Sequence, residues 1–203
     1  MGKTVIFGGT FNPLHKGHIM MASLVSELDF VDQLIFMPAR RPTHKNTHGE
    51  LIDVVHRYNM CKIAAQGINK AVVSDFEIKS DYDNYTYYTL KHFTQRYPDK
   101  EYCLLIGADM LVSFDKWFRY KSIIQMCGLM VVKRIGVDSQ DFDKMVARLR
   151  NEGAEIYLLE AAVPDISSTE IRNRVEDGAF LSSSIPPEVL DYIKNNSLYK
   201  GKY

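Results

Sequence analysis

The chain has little of several things that would settle its class at a glance. Cysteine is scarce: Cys61, Cys103 and Cys127 are odd in number, far apart and form no CxxC pair. That excludes a disulfide framework and a paired-cysteine zinc site, and it suits a reducing compartment. Net charge is lacking too, with 25 Lys plus Arg against 25 Asp plus Glu, so the basic surplus of a dedicated nucleic-acid binder is missing. No apolar run reaches the roughly 18 residues of a membrane span. The first strand-like run, Thr4 to Phe7, passes straight into glycines, without the longer apolar stretch and cleavage site of a signal peptide. Repeats, low-complexity tracts and obvious linkers are absent. The expectation is a soluble, cytoplasmic protein with neither a nucleic-acid nor a membrane partner.

What is present is a globular composition over 203 residues, 46% hydrophobic and 25% charged, which removes intrinsic disorder and suits one domain. Short apolar runs near 4–9, 32–37, 71–78, 101–107, 128–134 and 155–160 predict strands. They alternate with segments of helical period near 17–28, 54–66, 86–96, 110–126 and 139–151, followed by two more near 168–176 and 187–195. Such alternation predicts an α/β fold, a doubly wound parallel sheet flanked by helices. Residues 1–203 read as a single domain whose last part, roughly 165–203, is a small helical extension.

Charge is locally uneven despite the neutral total. Between Pro38 and Lys62 the cations Arg40, Arg41, Lys45, Arg57 and Lys62 face only Glu50 and Asp53, with His44, His48 and His56 added. Residues 38–53 lack periodicity and read as a long loop, either a functional one that receives an anionic small molecule or a solvated cationic one. His44 and His48 are not read as a metal pair, because no third ligand of suitable spacing accompanies them.

The segment GGTFNPLHKGH, Gly8 to His18, joins the first strand to the first helix. In a doubly wound fold that turn lies at the carboxyl edge of the sheet, where ligands bind. Gly8 and Gly9 allow close approach of a phosphate to the backbone, Pro13 stiffens the loop, and Gly17 leaves room between His15 and His18. The histidines, three apart on a first helical turn, point the same way, and a helix N-terminus favours anions. The plain alternative is one capping and one half-buried histidine. Neither GxxxxGK[ST] nor GxGxxG is present, so any phosphate grip is of another kind.

Far along the chain, Ser167 and Glu170 in ISSTEIR form a capping-box pattern that places a helix start at 167–168, with Arg172 in the first two turns. By itself this is a second anion cradle or simply a well-made surface helix. In IGADMLVSFDKWF, Asp109 follows a strand and is a candidate helix cap, while Trp117, the single tryptophan, is a candidate core residue.

Taken with their spacing, these runs resemble a known family. GGTFNPLHKGH resembles the GGTFxPxHxGH signature of the HxGH nucleotidyltransferase superfamily, and ISSTEIR resembles the ISSTxIR signature of its nicotinate-nucleotide adenylyltransferases. DNYTYYTL is similar to that family's SYTxxTL, with Asn84 in place of Ser. RPTHK is similar to its PPHK, with Thr43 in place of the second proline, and HRYNM to its RxxM, which makes Arg57 a helix-face charge. IPPEVLDYIKNNSLY resembles the terminal helix, so the likeness covers essentially the whole chain.

The resemblance implies a Rossmann-like fold and adenylyl transfer from ATP to nicotinate mononucleotide, giving deamido-NAD+ and pyrophosphate. It implies catalytic roles for His15, His18, Lys45 and Arg172. It assigns ATP binding to Gly8, Gly9, Thr10, Phe11, Gly17, Gly107, Asp109, Ile166, Ser167, Ser168 and Thr169. The mononucleotide falls to Asn12, His44, Tyr85, Thr86, Trp117 and Phe118, with the Trp117 ring on the pyridine and backbone groups around Thr86 and Phe118 on its carboxylate. Mg2+ is expected on the ATP phosphates rather than on protein side chains. Other acceptors (nicotinamide mononucleotide, phosphopantetheine) and a non-catalytic nucleotide sensor stay open, as does oligomeric state, a homo-oligomer included.

Overall fold

The computed structural model describes residues 2–41, 51–135 and 139–199. Six strands, β1 (Lys3–Gly9), β2 (Val31–Pro38), β3 (Ala71–Val73), β4 (Tyr102–Gly107), β5 (Gly128–Arg134) and β6 (Ile156–Ala161), form one sheet in the order 3-2-1-4-5-6. Every pairing is parallel. This is the α/β, Rossmann-like doubly wound sheet that the alternation of runs implies. Strands buried on both faces need apolar residues throughout rather than at alternate positions. Accordingly Val5, Ile6 and Phe7 on β1, Leu34 to Met37 on β2 and Leu129 to Val132 on β5 are all buried. The edge strand β6 instead alternates half-buried and exposed positions.

Helices among the described residues are α1 (Lys16–Ser26), α2 (Val54–Ala65), α3 (Phe76–Lys79), α4 (Thr86–Arg96), α5 (Ala108–Val112), α6 (Tyr120–Met126), α7 (Gln140–Asn151), α8 (Ser168–Asn173), α9 (Gly178–Ser184) and α10 (Pro187–Asn195). Local chemistry explains several boundaries. Ser139 caps α7 by accepting the Phe142 N–H at 3.4 Å, with Asp141 and Asp143 in the first turn and Arg148 and Arg150 in the last, each sign matched to the helix dipole. Pro187 opens α10, where its missing N–H costs nothing.

Two core layers cover the sheet. One joins Val5, Phe7, Leu34 and Phe36 to α1 and α2 and also takes in Ile171, Leu181, Ile185, Val189, Leu190 and Ile193 from α8 to α10. The C-terminal helices thus share that core with the sheet. The other layer joins Ile6, Ile35, Leu104 and Ile106 to Leu90, Leu111, Phe114, Ile123 and Phe142.

Two expected elements are corrected. The strand expected over 71–78 pairs with β2 only through Val73; Ser74 Oγ then accepts the Phe76 N–H at 3.2 Å, and this side-chain turn starts α3. The helix expected over 110–126 is broken into α5, a 3-10 turn at Phe114–Lys116 and α6. Trp117 is extended at φ −72°, ψ 143°. Arg119 has φ 55°, a left-handed conformation that no continuing helix accommodates. Trp117 and Phe118 therefore sit on a connecting loop rather than on a helix face. α9 was not foreseen.

Candidate active site

The strand order reverses between the paired neighbours β1 and β4: β2 and β3 are added on one side of them and β5 and β6 on the other. Ligands of such sheets bind outside the carboxyl ends of the strands at that point. The β1–α1 loop and the start of α5 both lie there.

His15 is the N-cap residue of α1 and His18 is its third helical residue. His18 Nδ1 accepts the His15 backbone N–H at 3.3 Å, so in the neutral ring Nε2 carries the proton and is the donor. The two rings lie 3.7 Å apart at an interplanar angle of 34°; His15 is buried and His18 half-buried. The capping alternative and the paired-histidine reading are thus both realised in one geometry.

The flanking glycines have different jobs. A Cβ on Gly8 would meet nothing within 4 Å, whereas one on Gly9 would come within 2.8 Å of the Phe11 ring. A Cβ on Gly17 would press to 3.1 Å on the His15 ring. Phe11 is 2% exposed and packs edge-on against Phe7, Phe36 and His18 at centroid distances of 5.5, 5.7 and 5.2 Å. Its φ of 48° is a conformation a non-glycine residue adopts only when its surroundings enforce it. Here the enforcing contact is the buried ring, so the Phe11 side chain anchors the loop.

The two distant motifs meet. Ser168 Oγ donates to the Pro13 carbonyl at 2.9 Å and Arg172 Nη1 donates to the Asn12 carbonyl at 2.8 Å, while Arg172 Nη2 reaches Thr169 Oγ1 at 3.3 Å. Ser167 caps α8 by accepting the Glu170 N–H at 3.0 Å. The Glu170 carboxylate turns to Arg174 at 3.3 Å. Ile166 packs against the core beside α8. Asn12, buried, takes the Tyr199 hydroxyl on its Oδ1 at 3.0 Å and the Ile52 N–H at 3.5 Å. Burial pushes the Tyr199 phenol up, against the pull of Arg172 and Arg57, so it remains a donor.

On the β4 side, a Cβ on Gly107 would fall 2.5 Å from Asp109 Oδ1, so the bare glycine is what lets the exposed Asp109 carboxylate fold back over the strand end. Trp117 is half-buried, its ring 5.0 Å from Phe114. Phe118, 37% exposed, contacts Tyr85 at 4.8 Å, Tyr88 at 5.7 Å and Tyr87 at 5.8 Å. Arg119 lies 4.9 Å over the Tyr87 ring and donates to its hydroxyl at 3.0 Å. These ring contacts bring the 117–119 loop to the start of α4, where Thr86 is the first residue and Tyr85 caps without a side-chain bond. The two segments expected to read a carboxylate are therefore neighbours. Lys45, His44, Thr43 and His48 lie outside the described residues.

Two neighbours of these residues, Arg57 as a buried donor and Tyr199, escape the sequence reading, as do the aromatic partners of Phe118. Arg57 is not a helix-face charge: it is 0% exposed, and burial depresses its pKa. It donates to four backbone carbonyls, those of Thr10 at 2.8 Å, Ala39 at 2.6 Å, Arg40 at 3.2 Å and Ile52 at 3.3 Å. A helix-face reading fails because the Arg57 side chain leaves α2 on its buried side, where the carbonyls of three separate segments converge on it. Tyr199 was noticed only as the end of a helical pattern. Phe118 was considered for its backbone, while the density of tyrosines at 82–88 was the available signal for its aromatic partners. The cysteines offer no nucleophile: all three are buried and free, and burial pushes the Cys103 thiol up to about 12.

A strand order that opens at β1–β4, with a glycine loop leading to paired histidines at a helix N-terminus, defines a nucleotidyltransferase-type site. The model of the cytidylyltransferase-like family matches residues 6–174, and the chain belongs to that family. Within it the chain is a member of the nicotinate-nucleotide adenylyltransferases. It is 35% identical over 201 residues to a probable nicotinate-nucleotide adenylyltransferase of Clostridium novyi, covering 98% of this chain and 100% of that one. It is 36% identical over 204 residues to the probable enzyme of the same name from Clostridium kluyveri, with the same coverage. Two solved structures of Plasmodium falciparum nicotinic acid mononucleotide adenylyltransferase, complexed with APC and with NaAD, share the fold at TM-scores of 0.81 and 0.78. Each covers 98% of both chains at 20% identity.

Proposed function

We propose that this chain transfers the adenylyl group of ATP to nicotinate mononucleotide, releasing pyrophosphate and deamido-NAD+. The observation that carries this reading is the seating of α8 on the β1–α1 loop by Arg172 and Ser168, which makes one cradle of two motifs about 150 residues apart. The whole chain works as one domain, in keeping with the core that α8 to α10 share with the sheet. The cytoplasm is its proposed compartment; among the described residues no helix is long and apolar enough to cross a membrane.

The acceptor phosphate is ionised at neutral pH, so its oxygen attacks the α-phosphorus without a general base. What the protein supplies is alignment and donors for charge that develops on the transferring and leaving oxygens. His18, its Nδ1 occupied by the His15 N–H, presents Nε2–H; His15, Arg172 and Lys45 complete the set. Gly8 leaves open space beside the loop for the phosphates, and Gly107 with Asp109 faces the adenosine. Trp117 supplies a flat face for the pyridine, and backbone N–H groups around Thr86 and Phe118 read its carboxylate.

Protonated or Nε2–H imidazole, guanidinium and backbone N–H are donors suited to phosphate oxygens. Mg2+ held by ATP oxygens and water would neutralise part of the triphosphate charge. Release of pyrophosphate from ATP plus nicotinate mononucleotide, with each substrate omitted in turn, tests the function. A protein that binds ATP and never turns over would instead be a sensor.

A further inference from the structure

One hydrogen-bonded path crosses the site. It begins at the Thr10 carbonyl in the phosphate loop, which accepts Arg57 Nη1 at 2.8 Å. Arg57 Nη2 also donates to the Arg40 carbonyl at 3.2 Å. The next amide of that same peptide plane, Arg41 N–H, points the opposite way and donates to Asn84 Oδ1 at 2.7 Å. Asn84 Nδ2 donates in turn to the Glu77 carbonyl at 3.0 Å. The Glu77 carboxylate accepts the Thr89 hydroxyl of α4 at 2.6 Å. The path thus runs from the loop assigned to ATP to the helix whose first residue is assigned to the pyridine carboxylate.

We propose that Arg57 and Asn84 form a single strut that sets the distance between the ATP half and the acceptor half of the site, both acting as positioning residues for adenylyl transfer. Their residue types fit the task. A guanidinium is the one side chain that offers five donors in a rigid fork, enough for carbonyls on three separate segments. An asparagine accepts through its oxygen and donates through its NH2, so it can join an N–H on one side to a carbonyl on the other. An aspartate of the same shape would set a carboxylate against the Glu77 carbonyl. In-line transfer is intolerant of misplacement: about 1 Å can cost about 10²-fold in rate. Peptide groups linked in series also polarise one another, which stiffens the path as a unit.

The inference rests on the proposed reaction, and its test separates the two. Pyrophosphate release would be measured for the full chain with ATP and nicotinate mononucleotide varied separately, alongside melting temperature, for wild type, Arg57→Lys, Asn84→Ala and the double variant. Each single change should lower kcat by about 10- to 100-fold while both KM values stay within about threefold, because the substrates still find their own half-sites. A strut cut twice is no more cut than once, so the double variant should match the poorer single variant rather than multiply the losses. Asn84→Ala with wild-type kcat, a loss confined to the acceptor KM, or multiplicative losses would overturn the strut. Should Arg57→Lys not fold, Asn84→Asp joins Asn84→Ala as the deciding pair: both should lose turnover, and wild-type turnover in Asn84→Asp would overturn the proposal. A wild-type protein that releases no pyrophosphate would sink the proposed reaction, whereas an active wild type with an equally active Asn84→Ala would sink the strut alone.

Discussion

Arg172 Nη1 donates to the backbone carbonyl of Asn12 at 2.8 Å, across 160 residues of sequence. Through this bond the helix of the second motif fixes the loop of the first, while Nη2 is turned to Thr169. Lysine has one ammonium on a flexible stem and cannot hold a carbonyl and face a phosphate from the same fork. Arg172→Lys should therefore raise the KM for ATP and lower kcat, with the acceptor KM nearly unchanged. Steady-state kinetics with each substrate varied would settle it, and a rise confined to the acceptor constant would contradict the assignment.

His18 is held by the His15 N–H with Nε2 left as the donor. His18→Ala should lower turnover by about 10²–10³, or about 2.7–4 kcal/mol, the scale for losing one preorganised donor. The half-buried ring makes the fold tolerant of its loss, so circular dichroism should be unchanged. Undiminished turnover in the folded variant would remove the phosphate role from this histidine.

The adjacent glycines should respond differently to alanine. Gly8→Ala places its methyl in open space, so stability should hold while the ATP KM rises, because that space is the proposed phosphate site. Gly9→Ala drives a methyl to 2.8 Å from the Phe11 ring and should cost about 1–3 kcal/mol by overpacking. Urea unfolding beside ATP kinetics distinguishes them; equal stability losses would remove the distinction.

In the proposed reaction Trp117 would give the pyridine a face, and base stacking on an aromatic is worth about 1–3 kcal/mol without sensing the ring substituent. An amide substituent turns its NH2 toward a backbone donor and leaves that donor unpaired, at about 1–3 kcal/mol. Nicotinate mononucleotide should exceed nicotinamide mononucleotide by at least about tenfold in kcat/KM, and Trp117→Ala should weaken both alike. Equal use of the two acceptors by wild type, or loss of the preference alone in Trp117→Ala, would show this division of labour to be wrong.

Glu77 is buried against Thr89, and burial pushes its carboxyl up to about 7 from 4.5 while the Thr89 hydrogen bond pulls the other way. Between those two values the folded state binds the proton and the unfolded chain has released it. Stability should therefore fall as pH rises from about 4.5 to about 7, by up to about 3 kcal/mol, and level off above. Glu77→Gln should flatten this slope. Urea unfolding at pH 5 and pH 8 checks both, and an identical slope in wild type and Glu77→Gln would refute it.

Much of this protein is legible in the sequence because the governing physics is local. Continuous apolar runs such as LLIG and LMVV mark strands buried on both faces, Ser139 and Ser167 mark helix starts, and glycines beside His15 and His18 mark a loop that must admit a ligand. Partnership across the chain has no local signature. Nothing in HRYNM distinguishes an arginine on a wet helix face from one sealed among four carbonyls, since those carbonyls come from Thr10, Ala39, Arg40 and Ile52 and converge only when the chain is packed. The break of the expected 110–126 helix accompanies long-range contacts, with Arg119 over the Tyr87 ring from a distant helix. The seating of Tyr199 on Asn12 joins residues 187 positions apart, which no local pattern announces. The sequence alone determined the alternation of strands and helices, several caps and the motifs that mark the family. Tertiary structure decided which backbone groups those residues must satisfy, because a buried donor or carbonyl finds its partner by proximity in space and not by spacing along the chain.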